Sequence, residues 1–349
     1  MSFSFFRFKA KTPVELIRHT RECLQAIRSP PKEGVNGHGD GRGGESRALE
    51  KNLEIAKNLL AMKQFLFGDG ETEPNLELSH QLTMEACKDD FFSLLIKRLH
   101  LLDFEARKDV ALVFCSLVRQ EINGRQIFLE CIEKSSELLD LLLRGYEKPE
   151  TALNCGTMLR ECARYPTLSK YMLESPNFKL FFKYVELSSF DVASDAFQTF
   201  KEFLTKHRPI VCNYLSVRYN EFFDLYDKLL SSENYVVRRQ SLKLLGEILL
   251  DKTNIGVMIK YIGEAQNLRI VMNLLKDSSK NIQYEAFHVF KVFVANPNKP
   301  PAIVGILSKN REKLLKFLEN FRVDREDEQF EEEKELLMRE IEHLPAPSP

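Results

Sequence analysis

Tryptophan is absent from this chain of 349 residues, and glycine, proline and cysteine are scarce. The 26 phenylalanines still supply a large apolar volume for a core. Also missing is the sustained alternation of apolar and polar residues that β-strands require. Apolar residues instead recur three and four positions apart, between the few proline and glycine positions, which predicts an all-α fold.

An excess of charge of one sign is also absent, because 50 basic side chains face 51 acidic ones and leave a net charge of -1. A protein that mainly coats nucleic acid or an anionic membrane needs a strong positive excess, so both classes are disfavoured. No apolar run is long enough for a membrane span or a signal peptide. We therefore expect a cytoplasmic protein, with the nucleus as the alternative, and no membrane or nucleic-acid partner.

The seven cysteines are odd in number, scattered, and without any Cys-x-x-Cys pair. This spacing argues against a disulfide framework and against a zinc site. Most of the cysteines are expected to be small buried hydrophobic residues in a reducing compartment. We predict no metal and no cofactor.

The common catalytic motifs are missing: the phosphate-binding loop, the Gly-x-Ser-x-Gly elbow, the His-Glu-x-x-His zinc motif and the kinase triplets. One Gly-x-Gly-x-x-Gly pattern occurs, at Gly39, Gly41 and Gly44, but it follows no predicted strand, as a dinucleotide-binding motif would. The prediction is a protein without catalysis, and an enzyme with unrecognised chemistry is the alternative.

A comparison of the chain with itself gives the strongest positive signal. The strings ARKDVALVFCSL, TALNCGTMLREC, VASDAFQTFKEF, VRRQSLKLLGEI and IQYEAFHVFKVF align, starting at Ala106, Thr151, Val192, Val237 and Ile282. Their spacings are 45, 41, 45 and 45 residues, and a period of about 40–47 in a helical chain is typical of HEAT or armadillo repeats. Stacked repeats share one continuous core, so we predict a curved helical-repeat solenoid; an irregular helical bundle is the alternative.

We expect one domain over residues 1–349. Residues 29–46 are rich in glycine and proline and almost free of apolar side chains, which predicts a mobile loop. The stretch 326–343 keeps apolar residues at helical spacing among many glutamates, which predicts a C-terminal capping helix with a polar outer face.

A binding scaffold carries groups that its own fold leaves unsatisfied. In the predicted helix NYVVRRQSLKLLGEILLD, Tyr235, Arg239 and Lys243 fall on one stripe at spacings of four, while leucines face the core. Stacked like charges slightly destabilise a helix, and beside an aromatic ring they suit a carboxylate or an acidic peptide. Basic pairs occupy the same repeat positions in two helices, 107–108 and 238–239, which predicts a basic ladder; a solvated charged face is the alternative.

Basic and apolar residues also alternate toward the C-terminus, at Lys260, Tyr261, Met272, Lys291 and Lys309. This mixture suits a groove that grips a short peptide with an aromatic and an acidic side chain. An ordinary core and rim is the alternative interpretation.

Long strings of the sequence resemble one known family. LLDFEARKDVALVF, ALNCGTMLRECARYPTLSKYML, FDVASDAFQTFKEFLTKH, SENYVVRRQSLKLLGEILLD and SSKNIQYEAFHVFKVFVANPNKP are similar to the calcium-binding-protein-39, or Mo25-like, family, and the match spans nearly the whole chain outside 29–46. The segments MSFSFF, GDGETEPN and FEEEKEL look most like the plant branch. The resemblance implies an armadillo-like scaffold that cups a Ste20-type (germinal-centre) kinase, or a related pseudokinase, on a concave surface and stabilises its active conformation.

By the same resemblance, six residues fall on kinase-contacting positions: Glu105, Lys108, Phe190, Tyr235, Arg239 and Lys243. A pocket for an acidic-aromatic C-terminal tail of the partner is implied at Lys252, Ile255, Met272 and Lys309. Animal members carry Arg and Phe where this chain has Lys252 and Ile255, so the bidentate fork and the ring are lost. Nothing in the sequence supplies the calcium site that the family name implies.

The leading hypothesis is therefore a non-catalytic cytoplasmic adaptor that activates a Ste20-like kinase by preferring its active conformation. A helical-repeat carrier of peptides or nucleic acid is the alternative. That alternative requires a surface of strongly one-signed charge, which the overall charge of -1 does not indicate.

Overall fold

The computed structural model of the chain describes residues 11–27, 41–70, 73–135, 137–321 and 328–345. Within those ranges the regular elements are helices, and β-pairing is limited to an isolated bridge between Ile122 and Arg125. The α-helices, in chain order, are α1 (Pro13–Ala26), α2 (Gly41–Phe67), α3 (Leu76–Ala86), α4 (Phe91–Arg98), α5 (Phe104–Arg119), α6 (Ile127–Lys134), α7 (Glu137–Arg144), α8 (Pro149–Cys162), α9 (Pro166–Glu174), α10 (Leu180–Tyr184), α11 (Phe190–Thr205), α12 (Arg208–Val217), α13 (Tyr219–Leu230), α14 (Tyr235–Leu250), α15 (Ile255–Gly263), α16 (Ala265–Leu274), α17 (Lys280–Ala295), α18 (Pro301–Lys309), α19 (Arg311–Asn320) and α20 (Glu328–Glu342). In the part of the chain that is described, no helix has both the length and the apolarity that crossing a membrane requires.

The helices begin where the sequence supplies capping groups. Thr12 and Glu15 form a capping box at α1, and the Asp103 carboxylate accepts a hydrogen bond from the Ala106 amide at α5. The Asn234 side chain accepts from the amides of Val236 and Val237 at α14. These side chains satisfy backbone donors that a helix leaves without partners at its start, typically contributing about 1 kcal/mol each.

Each of the five aligned strings lies inside one helix, namely α5, α8, α11, α14 or α17. Two shorter helices precede each of them, so one sequence period corresponds to three helices. Three helices per period of about 40–47 residues is the armadillo arrangement. The predicted all-α, armadillo/HEAT-like helical-repeat fold is confirmed, and we call α5, α8, α11, α14 and α17 the third helices.

The third helices bury the same two repeat positions on one face, four residues apart. The fifth position is small, at Val110, Cys155, Ala196, Ser241 and Ala286, and the ninth is bulky, at Phe114, Leu159, Phe200, Leu245 and Phe290. Residues four apart lie on the same side of a helix. Each third helix therefore places a small side chain next to a bulky one on its buried face. Complete burial of one such bulky side chain contributes about 1.5–3 kcal/mol.

The chain divides into two compact units, unit 1 (Met1–Glu202) and unit 2 (Phe203–Pro349), with the division inside α11. In unit 1, α2 packs on α5 and α5 packs on α8. In unit 2, α14 packs on α17 and α17 packs on α20. In each unit, therefore, neighbouring repeats pack through the third helices. The single domain expected over residues 1–349 stays a prediction.

The predicted loop at 29–46 differs from the structure at its C-terminal end. Residues 29–40 lie outside the described residues, but helix α2 already begins at Gly41, five residues before the expected end of the loop at residue 46. Glycine is a poor helix former, yet extending an existing helix adds one hydrogen bond for each residue that is fixed. Since no proline stands between Pro31 and Pro74, the long helix extends backward into the glycine-rich segment.

The C-terminal helix α20 covers most of the stretch predicted at 326–343, and residues 326–327 lie outside the described ranges. Phe330, Leu337 and Ile341 are buried against unit 2. Lys334 is buried as well, and its ammonium group donates a hydrogen bond to the carbonyl oxygen of Phe321 at 3.3 Å. The apolar stripe of α20 thus covers the end of the repeat stack, while most of its glutamates remain accessible.

Candidate binding surfaces

An exposed aromatic residue begins three of the third helices. Phe104, Phe190 and Tyr235 are the first residues of α5, α11 and α14 and are 64%, 65% and 39% exposed. Each stands two residues before the start of an aligned string, at the same position of its repeat. Phe190 and Tyr235 were predicted as binding residues, whereas Phe104 was missed because the alignment started two residues too late.

In unit 1, Glu105 and Lys108 form an exposed surface with Phe104. The Lys108 ammonium lies 3.1 Å from the Glu105 carboxylate and 5.3 Å from the centroid of the Phe104 ring. An exposed pair three residues apart on a helix contributes only a few tenths of a kcal/mol, so a partner can displace it at little cost. The predicted binding residues Glu105 and Lys108 therefore lie together beside an exposed ring.

Lys108 also lines a groove of about 720 Å³ in unit 1. The groove has exposed apolar residues, including Phe67, Leu76 and Leu112, and polar ends at Arg119 and Asn154. Concave sites lined mainly by apolar groups with a few convergent polar ones are the usual form of ligand pockets. The groove places the Lys108 ammonium, with its exposed partner Glu105, next to a substantial apolar surface.

Other charges of unit 1 hold neighbouring repeats together. The Lys63 ammonium of α2 lies 2.6 Å from the Asp109 carboxylate of α5, and Arg119 of α5 pairs with buried Glu161 of α8. Arg160 of α8 donates to Asp195 of α11 at 2.9 Å. These ion pairs connect α2 to α5 or one third helix to the next. The charged groups in them are therefore already paired within the protein.

In unit 2, Tyr235, Arg239 and Lys243 form one stripe along α14, which we call the basic stripe. The same helix buries Leu242, Leu245 and Leu249 in the core, as the sequence predicted. Asn281, at the start of α17, donates a hydrogen bond to the Tyr235 hydroxyl oxygen at 3.3 Å. Hydrogen bonds from Ser279 and Asn281 lower the pKa of Tyr235. The ring at one end of the stripe is therefore held in place by the neighbouring repeat.

The expectation that the fold leaves the basic stripe unsatisfied needs correction. Glu285 of α17 is half-buried and faces both Arg239 and Lys243, while Glu247 lies near them on α14. Burial raises the pKa of Glu285, and the charges of Lys243 and Arg239 oppose that effect only in part. Glu285 was not predicted from the sequence because it lies one repeat further along the chain.

The predicted basic ladder is also wrong in part. Arg107 donates to the carbonyl oxygen of Leu102 at 3.1 Å, and Arg238 donates to that of Ser232 at 2.6 Å and to the Asp277 carboxylate. These two equivalent arginines hold the turn before their own helix and are structural. At the outward position of Lys108 and Arg239, the remaining third helices carry Leu153, Ser194 and Tyr284, so the charge is not repeated.

A cleft of about 560 Å³ lies between α15, α17 and α20 of unit 2. Its walls are mainly apolar and include Leu250, Ile255, Ile259 and Leu336, all exposed. On one wall the Lys291 ammonium lies 2.7 Å from the Glu333 carboxylate, which joins α17 to α20. The cleft is thus an accessible and mainly apolar surface of unit 2.

The four residues implied as a tail pocket lie on different elements. Ile255 is 59% exposed and lines the cleft, Lys252 is exposed in the turn before α15, and Lys309 is exposed at the end of α18. Met272 is only 7% exposed on α16, which packs on α18. Of the four residues, Ile255 is among those that line the cleft. The tail pocket as a whole stays a prediction.

The broader C-terminal groove predicted from alternating basic and apolar residues is not formed as expected. Tyr261 is fully buried, and the Lys260 ammonium lies over the Tyr219 ring at 3.7 Å from its centroid. Lys291 is paired with Glu333. Core packing, cation–π contact and ion pairing therefore account for Tyr261, Lys260 and Lys291.

Groups of three or more His, Cys, Asp or Glu side chains that could hold a metal ion are not found among the described residues. Oxygen-rich clusters of that kind are what calcium requires.

Three kinds of comparison place the chain among known proteins. A family model described as Mo25-like matches residues 3–345. Calcium-binding protein 39-like of Homo sapiens is 46% identical over 340 residues, covering 97% of each chain. A putative MO25-like protein of Arabidopsis thaliana is 46% identical over 341 residues, again with 97% of each chain covered. A designed armadillo repeat protein of known structure covers 78% of this chain and 99% of its own with a TM-score of 0.41 at 14% identity, too weak a likeness to support an argument.

Proposed function

This chain belongs to the Mo25-like family of scaffold proteins, and we propose that it binds and allosterically activates a Ste20-type (germinal-centre) protein kinase or a related pseudokinase, without catalysing a reaction itself. The observation that carries the proposal is the basic stripe, where Tyr235, Arg239 and Lys243 lie on one accessible face of α14. An ordered ring beside two long cationic side chains is the kind of surface that anchors an acidic, partly apolar segment of a partner.

The partner's carboxylate would compete with Glu285 for the same two cations. Glu285 is half-buried and its pKa is raised, so its ionised form is held at a cost to the folded protein. A more accessible carboxylate from a partner replaces that interaction without the burial cost. The basic stripe is therefore stable in the free protein and still available for binding.

Unit 1 provides a second surface, which we propose contacts the kinase at Glu105, Lys108 and Phe190. The ion pair of Glu105 and Lys108 is exposed, and both Phe104 and Phe190 present most of their rings to solvent. Exposed aromatic residues at repeated positions form effective interface anchors because they bury a large area with few rotatable bonds. We add Phe104 to the proposed kinase-contacting residues because it occupies the same repeat position as Phe190 and Tyr235.

Activation needs only a preference between kinase conformations. A scaffold that binds the active conformation about 2–3 kcal/mol more tightly than the inactive one shifts a two-state equilibrium by about 30- to 150-fold. A rigid helical-repeat surface suits this role because it can match one arrangement of kinase elements and not the other. No chemistry by the scaffold is required.

An acidic-aromatic tail of the partner is proposed to bind near Met272 and Lys309, with Lys252 and Ile255 at its side. Lys309 supplies an exposed positive charge, and Ile255 supplies exposed apolar area at the mouth of the cleft. Binding of a synthetic tail peptide distinguishes between two locations for the tail, α18 and the cleft. Loss of peptide binding with Lys309→Ala but not with Ile255→Asp would place the tail at α18, and the reverse result would place it in the cleft.

The test of activation is a kinase assay with purified Ste20-type kinase and the whole chain. The wild-type protein raises the phosphorylation rate, and Arg239→Ala/Lys243→Ala reduces that activation by about tenfold or more, since two anchors of about 1 kcal/mol each are lost. Lys228→Ala/Lys276→Ala is the matched control, because it removes the same charge from exposed positions of unit 2 outside the stripe. Equal melting temperatures of the three proteins confirm that folding is unaffected.

Two results would contradict the proposal. Wild-type protein that neither binds nor activates any kinase of this class would remove the function itself. Binding to RNA that weakens steeply with salt would instead support the alternative of a helical-repeat carrier.

A further inference from the structure

Two cysteines in unit 1 lie against each other, which the scattered sequence positions did not indicate. Cys87 follows the last residue of α3, and Cys131 lies in α6, the first helix of the next repeat. The Cys131 sulfur is 3.6 Å from the carbonyl oxygen of Cys87. The Cys87 sulfur is 3.9 Å from the carbonyl oxygen of Ile127, which precedes Cys131 by one helical turn. Each sulfur thus contacts the backbone of the other cysteine's helix.

Both thiols are partly accessible, in contrast to most other cysteines of the chain. Cys23, Cys115, Cys155 and Cys162 are buried, as the sequence predicted for most cysteines. Burial raises the pKa of Cys115 and of Cys155 to about 12, which makes these thiols inert at neutral pH. Cys87 and Cys131 are only half-buried, so a small oxidant can reach them.

The two thiols of the pair also differ from each other in proton affinity. A hydrogen bond from Cys87 lowers the pKa of Cys131 to about 7, although burial and the charge of Asp90 oppose this, while the charge of Lys134 supports it. The same hydrogen bond, together with burial, raises the pKa of Cys87 far above its usual value. Cys131 is therefore the thiol of the pair that loses its proton more readily, with Cys87 as the adjacent proton donor.

We propose that Cys87 and Cys131 form a thiol–disulfide site in which Cys131 reacts with a peroxide and Cys87 closes the disulfide. The Cys131 thiolate attacks one oxygen of hydrogen peroxide, the O–O bond breaks, and the departing hydroxide takes up a proton as water. Cys131 is then a sulfenic acid, oxidised by two electrons. Cys87 next attacks that sulfur, the S–O bond breaks, and a second water leaves as the disulfide forms. Two thiols and one peroxide thus give one disulfide and two waters.

The order of the two steps follows from the coupling between the thiols. While Cys131 is a thiolate, its charge and its hydrogen bond hold the proton on Cys87. Sulfenic acid formation removes that negative charge, so Cys87 loses its proton more readily and becomes a nucleophile. A second thiol already in contact captures the sulfenic acid before further oxidation, which is the arrangement of a resolving cysteine.

The disulfide would connect the first helices of two successive repeats in unit 1. Between α3 and α4, Asp89 and Asp90 have φ angles of 51° and 50°, and Arg21 of α1 donates hydrogen bonds to Asp89 and to the carbonyl oxygen of Lys88. The chain leaving Cys87 is therefore anchored to α1 in the reduced protein. Cross-linking to α6 adds a second anchor to the same turn.

The test uses the full-length reduced protein, a few equivalents of hydrogen peroxide at pH 7.5, and peptide mapping without reduction. We expect a Cys87–Cys131 cross-linked peptide, an intact mass lower by two hydrogen atoms, and complete reversal by dithiothreitol. In the free protein, iodoacetamide should modify Cys131 about tenfold faster than Cys87, with a rate that rises through pH 7. A rate for Cys131 no higher than that of Cys87 would contradict the proposal, even if a disulfide formed under harsher oxidation.

Three serine variants separate the roles of the two cysteines. Cys87→Ser should accumulate sulfenic acid at Cys131, trapped by a dimedone probe, with no cross-link. Cys131→Ser should leave Cys87 reduced at the same peroxide dose. Cys212→Ser, at another half-buried cysteine, should cross-link like wild type. Cross-links that involve Cys212, or sulfinic acid at Cys131 without a disulfide in the wild-type protein, would overturn the assignment.

Discussion

The two units treat the same repeat positions differently where successive third helices meet. In unit 1, Arg160 of α8 donates to Asp195 of α11, and Tyr146 donates to the same carboxylate at 2.9 Å. In unit 2, the positions equivalent to Arg160 and Asp195 are Gly246 of α14 and Glu285 of α17. Without a base at position 246, Glu285 faces Arg239 and Lys243 instead. At this pair of repeat positions, charge therefore links α8 to α11 in unit 1, whereas in unit 2 it lies beside the basic stripe.

The largest expected difference between the units is in stability after loss of the acidic residue. Asp195→Ala removes the carboxylate that neutralises mostly buried Arg160 and leaves Arg160 and the Tyr146 hydroxyl with the Thr199 hydroxyl as a neutral partner. Breaking such an ion pair costs about 3–5 kcal/mol. Glu285→Ala removes a carboxylate whose burial already raises its pKa, so its effect on unfolding should be within about 0.5 kcal/mol. Hydrogen exchange measured peptide by peptide reports each unit separately. Equal losses of hydrogen-exchange protection in α11 for Asp195→Ala and in α17 for Glu285→Ala would contradict the expected difference between the units.

The next largest effect concerns two glycines of the third helices, where substitution by alanine should change stability in opposite directions. A methyl group at Gly156 of α8 would overlap the Asp195 carboxylate and the Tyr146 hydroxyl, so Gly156→Ala should destabilise unit 1 by about 2–3 kcal/mol. At Gly246 of α14 the nearest atom to an added methyl group is Val289 Cγ2 at 3.8 Å, an ordinary contact. Gly246→Ala should therefore stabilise unit 2 by about 0.5–1 kcal/mol through helix propensity. Urea denaturation of both variants measures this, and destabilisation by Gly246→Ala would show that the position is not open.

The pH dependence of stability should also have opposite signs in the two units. In unit 1, a hydrogen bond from Lys11 lowers the pKa of Glu54, so its contribution is present above the unfolded value near 4.5 and is lost as the pH falls. In unit 2, burial raises the pKa of Glu285, so stability falls as the pH rises through its folded value. At pH 7, Glu54→Gln should lower the melting temperature and Glu285→Gln should raise it, by a few degrees at most. The Glu285 difference should vanish as the pH falls to about 4.5, whereas the Glu54 difference should persist until the pH falls through the lower folded pKa of that group. Two shifts of the same sign at pH 7 would contradict the account.

The sequence was sufficient for most features that depend on one helix at a time, with the start of α2 at Gly41 as an exception. Apolar spacing and the repeat period located the third helices, and the leucine face of α14 was predicted correctly because period and direction follow from residue order alone. Contacts between repeats were not predictable in this way. Glu285 faces Arg239 from 46 positions away, and Arg238 turns toward Asp277 rather than outward, because those partners depend on how repeats stack.

Some of the missed residues did leave a signal in the alignment. Phe104 occupies the same repeat position as Phe190 and Tyr235, so starting the comparison two residues earlier would have found it. Comparing charges at equivalent positions would have revealed Gly246 where α8 has Arg160. The Cys87–Cys131 pair left no such signal, since its two members occupy different helices of different repeats and approach only after α3 packs on α6.

The central claim is that Glu285 holds the basic stripe in a state that a partner's carboxylate can replace. The most direct measurement is the affinity of a purified Ste20-type kinase for wild-type protein, Glu285→Gln and Arg239→Ala/Lys243→Ala, determined by calorimetry at constant salt. Removing the internal competitor should tighten binding by about two- to fivefold, and removing the two cations should weaken it by about tenfold or more. Weaker binding by Glu285→Gln, or an unchanged affinity of Arg239→Ala/Lys243→Ala, would contradict the account.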